Sequence, residues 1–431
     1  MTHRPIPATP VSVSRFSILP LALCLLLFTF SCKYAAKKEQ PVTTVKDKTT
    51  TEMPTPLPTI RDYADDWKIV DSLERQGLFK SALERTEAIY AKATEAKNSP
   101  QIIKALLYRG KYATQLEEDG LVKAIQMFEQ EEKTARVGTK ALLQSILGQL
   151  YATYLSNQGW RLSERTPVPD GQSGDILTWS AAQIEKRAID LYVASAEPRP
   201  LLMENPVDVY RDILIPGEGD SVAGHRLRPS IHDFLAYRAL EYFANDRSWL
   251  TEPAYAFQLD QAEAFAPRQA FVNTRFDTKD STSGKWQALR IYQSLLRRPN
   301  QIKSTVGQPD KIIADTSALV SADLLRLQFV HNNSVRADKD SLYRRALESL
   351  HSAYQNHPID GEIVYQLAQH IYNLSTLETG KSAAEAVTLL EDAIRRHPGT
   401  YGAQQLVIEA GELAGRIDAD ARWRIRERAH R

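Results

Sequence analysis

Two stretches of thirteen residues, ALESLHSAYQNHP at 346–358 and AVTLLEDAIRRHP at 386–398, decide the fold of this chain. Both have alanine at the first and eighth positions, leucine at the fifth and His-Pro at the end. These three apolar positions share one face of an α-helix, where small alanines let a second helix approach closely. Proline ends each helix because it has no N–H group and clashes with the preceding turn. The forty-residue spacing therefore predicts two copies of one paired-helix unit.

The repeated motif resembles the second helix of the tetratricopeptide repeat, a paired-helix unit of about 34 residues. The residues between the two motifs fit the first helix of that unit, with bulky and small side chains at Val364, Leu367, Ala368 and Ile371. The extra length falls in a loop before the second motif. The resemblance implies tetratricopeptide-like repeats over residues 336–431.

The region before these repeats also has apolar residues at helical spacing. Trp67, Val70 and Leu73 recur at three-residue steps, and short polar connections separate such segments up to about residue 157, whereas 160–177 and 215–228 have the composition of longer loops. Short connections favour antiparallel neighbours, so we predict an irregular helical-repeat region over residues 61–335. The fold class predicted for the whole chain is all-α: antiparallel helical hairpins in a tetratricopeptide-like α-solenoid. One exception is the segment 249–282, whose alternation, as at 271–276, favours a short β-hairpin within it.

The first 31 residues have the pattern of a secretory signal peptide. A basic start precedes an apolar run at 18–30, which is short for a membrane span of about 20 residues. The letters LFTFSC, which end at Cys32, resemble a bacterial lipobox. That resemblance implies removal of residues 1–31 and acylation of Cys32. Plain secretion and an uncleaved anchor are the alternatives.

Residues 32–60 follow as a Lys-, Thr- and Pro-rich segment with few large apolar side chains. Such a composition predicts a disordered tether behind the acylated cysteine. Lys33 stands where an aspartate usually retains lipoproteins in the inner membrane. We therefore expect an outer-membrane lipoprotein of a bacterial cell envelope, facing the periplasm or the cell surface, with its lipid anchor in the membrane.

No complete catalytic, cofactor or metal motif is present in the sequence. The letters GKS at 380–382 lack the glycine that a phosphate-binding loop needs five residues earlier. The nine histidines show no metal-ligand spacing. A net charge of +1 argues against nucleic-acid binding by the basic segment at 422–428. We therefore expect no enzyme activity, no cofactor, no metal and no nucleic-acid partner.

The sequence resembles one family over most of its length after the tether. The stretch that begins WKIVDSLERQGLFKSALERTEAIY at Trp67, together with RPSIHDFLAYRALEYF at 228–243 and LTEPAY at 250–255, is similar to the helical N-terminal region of bacterial alpha-2-macroglobulin-like lipoproteins. In that family the region precedes macroglobulin β-domains that trap or inhibit proteases. No cysteine follows Cys32, so the thioester motif of the family is absent. The chain is expected to be a truncated or split member, or a separate helical module.

The resemblance and the helical pattern together predict a membrane-anchored, exported scaffold for protein–protein interaction. Its expected partner is a set of macroglobulin β-domains or a protease. We expect the last helix to dock on that partner through a face around Trp423 and Ile425. A substrate-binding surface lipoprotein for nutrient or glycan uptake is the alternative function.

Overall fold

The computed structural model describes residues 61–162, 175–211, 213–214, 226–244, 253–299, 302–303, 312–314, 316–375 and 381–398. Within these residues the fold is all-α, with helices that pack in neighbouring pairs. The helices are α1 (Arg61–Arg75), α2 (Phe79–Glu95), α3 (Ser99–Leu116), α4 (Gly120–Thr134), α5 (Val137–Leu162), α6 (Ala181–Ser195), α7 (Pro200–Met203), α8 (Ile231–Ala244), α9 (Arg268–Asn273), α10 (Gly284–Arg297), α11 (Thr316–Asn333), α12 (Lys339–Tyr354), α13 (Asp360–Ser375) and α14 (Lys381–Arg396). Two short strands, β1 (Ile302–Lys303) and β2 (Ile312–Ala314), form an antiparallel ladder. The prediction of an all-α fold of helical hairpins is confirmed.

The chain divides into two compact units. The first comprises Met1–Met127 and Gln149–Ile184, and the second comprises Phe128–Gly148 and Glu185–Arg431. Only the described residues of each unit are considered below.

In the first unit, α1 packs on α2 and α2 packs on α3. Individual residues at the helix ends explain where α1 stops and where α3 begins. Gly77, with φ of 74°, follows α1, and the N–H groups of Gly77 and Leu78 bond back to the last turn. This left-handed conformation favours glycine because a Cβ atom strains it. Asn98 caps α3 by accepting the N–H of Gln101, and a proline occupies the first turn.

The core of the first unit is rich in aromatic and paired polar side chains. The indole N–H of Trp67 donates to Gln101 Oε1 at 2.7 Å, and its ring lies 4.8 Å from that of Tyr108. Lys111, which is 2% exposed, pairs with Glu74. The pair joins α1 to α3, and removal of Glu74 would leave the buried charge of Lys111 without this partner.

The second unit has one large apolar core that runs from α6 to α14. Helices α10 to α14 pack on one another in chain order, and α8 packs on α10. At the start of α8, Ser230 and Asp233 cap each other: Ser230 Oγ donates to Asp233 Oδ2 at 2.6 Å, and the Asp233 N–H donates to Ser230 Oγ at 3.1 Å. The other carboxylate oxygen of Asp233 accepts a hydrogen bond from buried Arg298, which ties this cap to the end of α10.

The prediction of a β-hairpin within 249–282 is wrong for the described residues 253–282: they form no hairpin, and 271–276 are the end of α9 and an extended segment after it. Phe271 and Val272 are adjacent and both are buried, whereas a half-buried strand would place them on opposite faces. Gln293 of α10 donates to the carbonyl oxygens of Phe271 at 3.0 Å and Thr274 at 2.7 Å. These bonds satisfy the helix end without a second strand.

Candidate functional site

The site residues predicted from the sequence lie outside the described residues. These are Cys32, the predicted lipidation site, and Trp423 and Ile425, the predicted docking face. None of the helices in the described ranges combines the length and the apolar character needed to cross a bilayer. Two other features of the second unit are candidate binding sites: a groove and a cluster of histidine and aspartate side chains.

The first place is a groove of about 450 Å³ between α11, α12 and the segment that leads into α9. One wall is formed by Leu342, Ala346, Ser349 and Ala353, which recur at four- and three-residue steps along α12, together with Leu350. Leu319 and other side chains of α11 form the opposite wall. The volume lies within the range of about 300–1,000 Å³ that is usual for small-molecule pockets.

This groove distinguishes the two copies of the sequence motif. In α14 the motif face is covered by the same chain: Ala386 and Ala393 are 0% exposed and Leu390 is 2% exposed. In α12 the equivalent Leu350 is only partly buried and the equivalent Ala353 is exposed. The α13–α14 pair is therefore closed along its motif face, whereas the α11–α12 pair is open along the same face.

The floor of the groove contains a buried ion pair, in which Asp323 balances the charge of Arg326. Arg326, 1% exposed, donates from Nη2 to Asp323 Oδ1 at 2.5 Å and from Nη1 to the carbonyl oxygen of Ala264 at 2.5 Å. Its guanidinium also lies 4.6 Å from the ring centroid of Phe271. A buried arginine held by a carboxylate, a carbonyl and an aromatic ring is a structural element, and it leaves the floor without net charge.

The rim of the groove is cationic. Arg345 of α12 is exposed at the edge of the cavity. Among the described residues, its guanidinium forms no direct ion pair, although its charge acts on the carboxylate of Asp338, which pairs with Arg336. The nearby pair of Arg344 with Glu348 and Glu385 shows that neighbouring charges on this helix are matched within the chain. Arg345 is therefore placed to attract a carboxylate from outside the chain.

The second place is a cluster of His331, Asp340 and His370, contributed by α11, α12 and α13 respectively. The Nε2–H of His331 donates to Asp340 Oδ1 at 2.6 Å, and the Nε2–H of His370 donates to the carbonyl oxygen of Asp340 at 3.0 Å. One nitrogen or oxygen from each side chain lies within 4.8 Å of the other two. These are the residues of the described chain that are placed to share a metal ion.

Tyr343 holds the two imidazole rings of this cluster in place. Its ring stacks on His331 with centroids 4.4 Å apart and meets the edge of His370 at 4.9 Å. The Tyr343 hydroxyl donates to Gln366 Oε1 at 3.4 Å, which anchors the phenol to α13. Burial raises the pKa of Tyr343, so the hydroxyl stays protonated.

The charges in the cluster follow from burial and hydrogen bonding. The hydrogen bond from His331 lowers the pKa of Asp340, although partial burial of the carboxyl group acts in the opposite direction. Burial lowers the pKa of His370, which favours its neutral form.

A related pair occurs at the next helix junction. His351, in the last turn of α12, lies with Nδ1 at 2.7 Å from Oδ1 of Asp360 in the first turn of α13. The second oxygen of Asp360 accepts from Nη1 of Arg396 at 3.0 Å. A guanidinium cannot ligate a metal, so this junction has the histidine–aspartate pair without the third ligand.

In comparisons with protein-family models, with curated proteins and with solved structures, no match to this chain was found. The function is therefore argued from the residues themselves.

Sequence reasoning missed both places, although one signal was present. The spacing His-x8-Asp occurs at His331–Asp340 and again at His351–Asp360, each time from the end of one helix to the start of the next. No sequence pattern joins His370 to the first pair, because the contact spans thirty residues and a complete helix. The groove was missed because the two motifs have the same alanine, leucine and His-Pro positions, so the sequence gives no sign that only one of the two helix faces is covered.

Proposed function

We propose that this chain is a helical scaffold that binds a partner protein through the groove between α11 and α12. The observation that carries the proposal is the contrast between the two motif copies. The motif face of α14 is covered by the chain itself, and the same face of α12 is not. Exposed apolar surface in a concave site is a common mark of a binding surface.

The chemistry of the groove defines the segment that it would take. The walls are mainly apolar and the floor is neutral, so a bulky apolar side chain suits the cavity. The exposed guanidinium of Arg345 at the rim adds a preference for an acidic residue beside that side chain. The proposed occupant is thus a protein segment with a large apolar residue next to aspartate or glutamate.

The proposed cellular location and the proposed class of partner protein are both based on the sequence. The leader, Cys32 and the tether support a lipid-anchored protein of the bacterial envelope. The resemblance to alpha-2-macroglobulin-like lipoproteins supports macroglobulin β-domains, or a protease that they act on, as the source of the segment. Under this proposal the neighbouring reading frame encodes β-rich macroglobulin domains. Under the uptake alternative it encodes an outer-membrane transporter.

Site-specific photo-cross-linking in the native host tests the groove. A benzophenone amino acid is placed at Ser349, which is exposed and lines the groove, or at Ser352, which is equally an exposed serine of α12 but does not line it. We expect a cross-linked product from position 349 and none from position 352. Mass spectrometry of the product should identify a segment with an apolar residue beside an acidic one.

Charge reversal provides the second arm of this experiment. Arg345→Glu should strongly reduce the cross-link from position 349, because like charges then meet at the rim. Lys80→Glu, at an exposed position of α2, changes the net charge equally and should leave the product unchanged. Equal cross-linking from positions 349 and 352, or a product indifferent to Arg345→Glu, would show that the groove is not the binding site.

A further inference from the structure

We propose that His331, Asp340 and His370 form a binding site for one divalent transition-metal ion of the Zn²⁺ class. The three side chains come from three successive helices, so the ion would tie the α11–α12 connection to α13. This inference is independent of partner binding in the groove. The sequence analysis expected no metal site, because the histidines show no standard metal-ligand spacing.

The donor set selects the metal. Two imidazole nitrogens and one carboxylate oxygen suit Zn²⁺ and its transition-metal neighbours, whereas Mg²⁺ and Ca²⁺ prefer oxygen ligands alone. Three protein ligands are the usual number at zinc sites that keep one position for water or another group. The Asp340 side chain is 47% exposed and that of His331 is 21% exposed, so this fourth position faces solvent.

The geometry requires only a small rearrangement. The three ligand atoms lie within 4.8 Å of one another. Around a tetrahedral Zn²⁺ ion with bonds of about 2.0–2.2 Å, such atoms lie roughly 3.4 Å apart. Metal binding would therefore bring these atoms roughly 1–2 Å closer together, and it would break the hydrogen bond from the Nε2–H of His370 to the carbonyl oxygen of Asp340. The proton on Nε2 of each ring moves to Nδ1, which leaves a lone pair on Nε2 for the metal.

The surroundings of the cluster support a preformed site. Tyr343, 3% exposed, packs against both imidazole rings and restricts their rotation. Rings that are oriented before the ion arrives lose less entropy on binding. The junction of His351, Asp360 and Arg396 is the internal comparison, because it has the same histidine–aspartate pair with a guanidinium in place of the second histidine.

The test is stoichiometric metal binding by the full-length chain after treatment with a chelator. We expect one equivalent of Zn²⁺ to bind, measured by elemental analysis after gel filtration, and the midpoint of thermal unfolding to rise. Co²⁺, as a spectroscopic probe, should give the visible bands of a four-coordinate nitrogen and oxygen site. A sulfur-to-cobalt band in the near ultraviolet would instead assign the metal to Cys24 or Cys32.

Variants separate this site from other histidines. His331→Gln and Asp340→Asn, both at partly exposed positions, should abolish the Co²⁺ spectrum and the thermal response to Zn²⁺. His351→Gln and Cys32→Ser should retain both. Absence of stoichiometric binding in the wild-type chain would overturn the proposal and leave the cluster as a hydrogen-bond network that joins helices. Equal loss in His351→Gln and His331→Gln would overturn it as well.

Discussion

At the scale of single residues, Glu362 in the first turn of α13 is a carboxyl group whose environment opposes its charge. Burial raises its pKa from 4.5 to about 7, although the charge of Arg226 acts in the opposite direction. Between these two values the native chain holds a proton that the unfolded chain has released. The contribution of Glu362 to the free energy of unfolding therefore falls as pH rises from about 4.5 to about 7.

We predict that Glu362→Gln, a neutral isostere, stabilises the chain at pH 8 by about 1–3 kcal/mol and flattens this pH dependence. Urea unfolding at pH 5 and pH 8 measures both effects. Glu84→Gln, at an exposed position of α2, is the control and should leave the pH profile as it is. A Glu362→Gln profile that runs parallel to the wild-type profile between pH 5 and pH 8 would contradict the assignment.

At the scale of helices, the two motif copies differ in how much they contribute to the core. Leu390 is 2% exposed and packed in the main core, whereas Leu350 is partly buried and lines the groove. We predict that Leu390→Ala costs about 2–5 kcal/mol and that Leu350→Ala costs clearly less, because little new cavity forms beside an open groove. Chemical unfolding, followed in the transition that contains the second unit, gives both values. Equal losses would place both leucines in comparable cores.

The helices of the motif were predictable from sequence, and their packing partners were not. The spacing of Ala386 and Leu390 within one short segment is enough to predict a helix with an apolar face. The same spacing in the first motif predicted α12 correctly. The exposure of Ala353 depends on where α11 lies, which is a non-local property. Phe271 and Val272 were mistaken for strand residues because a helix of less than two turns has too few residues to show its period. The predicted docking face around Trp423 lies outside the described residues and stays a prediction.

For the molecule as a whole, the proposed location at the membrane depends on acylation of Cys32. We predict that a palmitate analogue labels the wild-type chain in its bacterial host and that Cys32→Ser removes both the label and the association with membranes. Cys24→Ser is the matched control, because Cys24 lies in the leader that is expected to be removed. Equal labelling of the wild type and Cys32→Ser would exclude a lipid anchor at this position.

The central claim is that the molecule works by binding a partner segment in the groove between α11 and α12. Calorimetric titration of the cross-linked segment, made as a synthetic peptide, into the full-length chain tests it most directly. We predict that Ser349→Trp, which fills the groove, abolishes binding and that Arg345→Glu weakens it about five- to tenfold. The controls Ser352→Trp and Lys80→Glu should bind as the wild type does. The same affinity for the wild type and all four variants would contradict the claim.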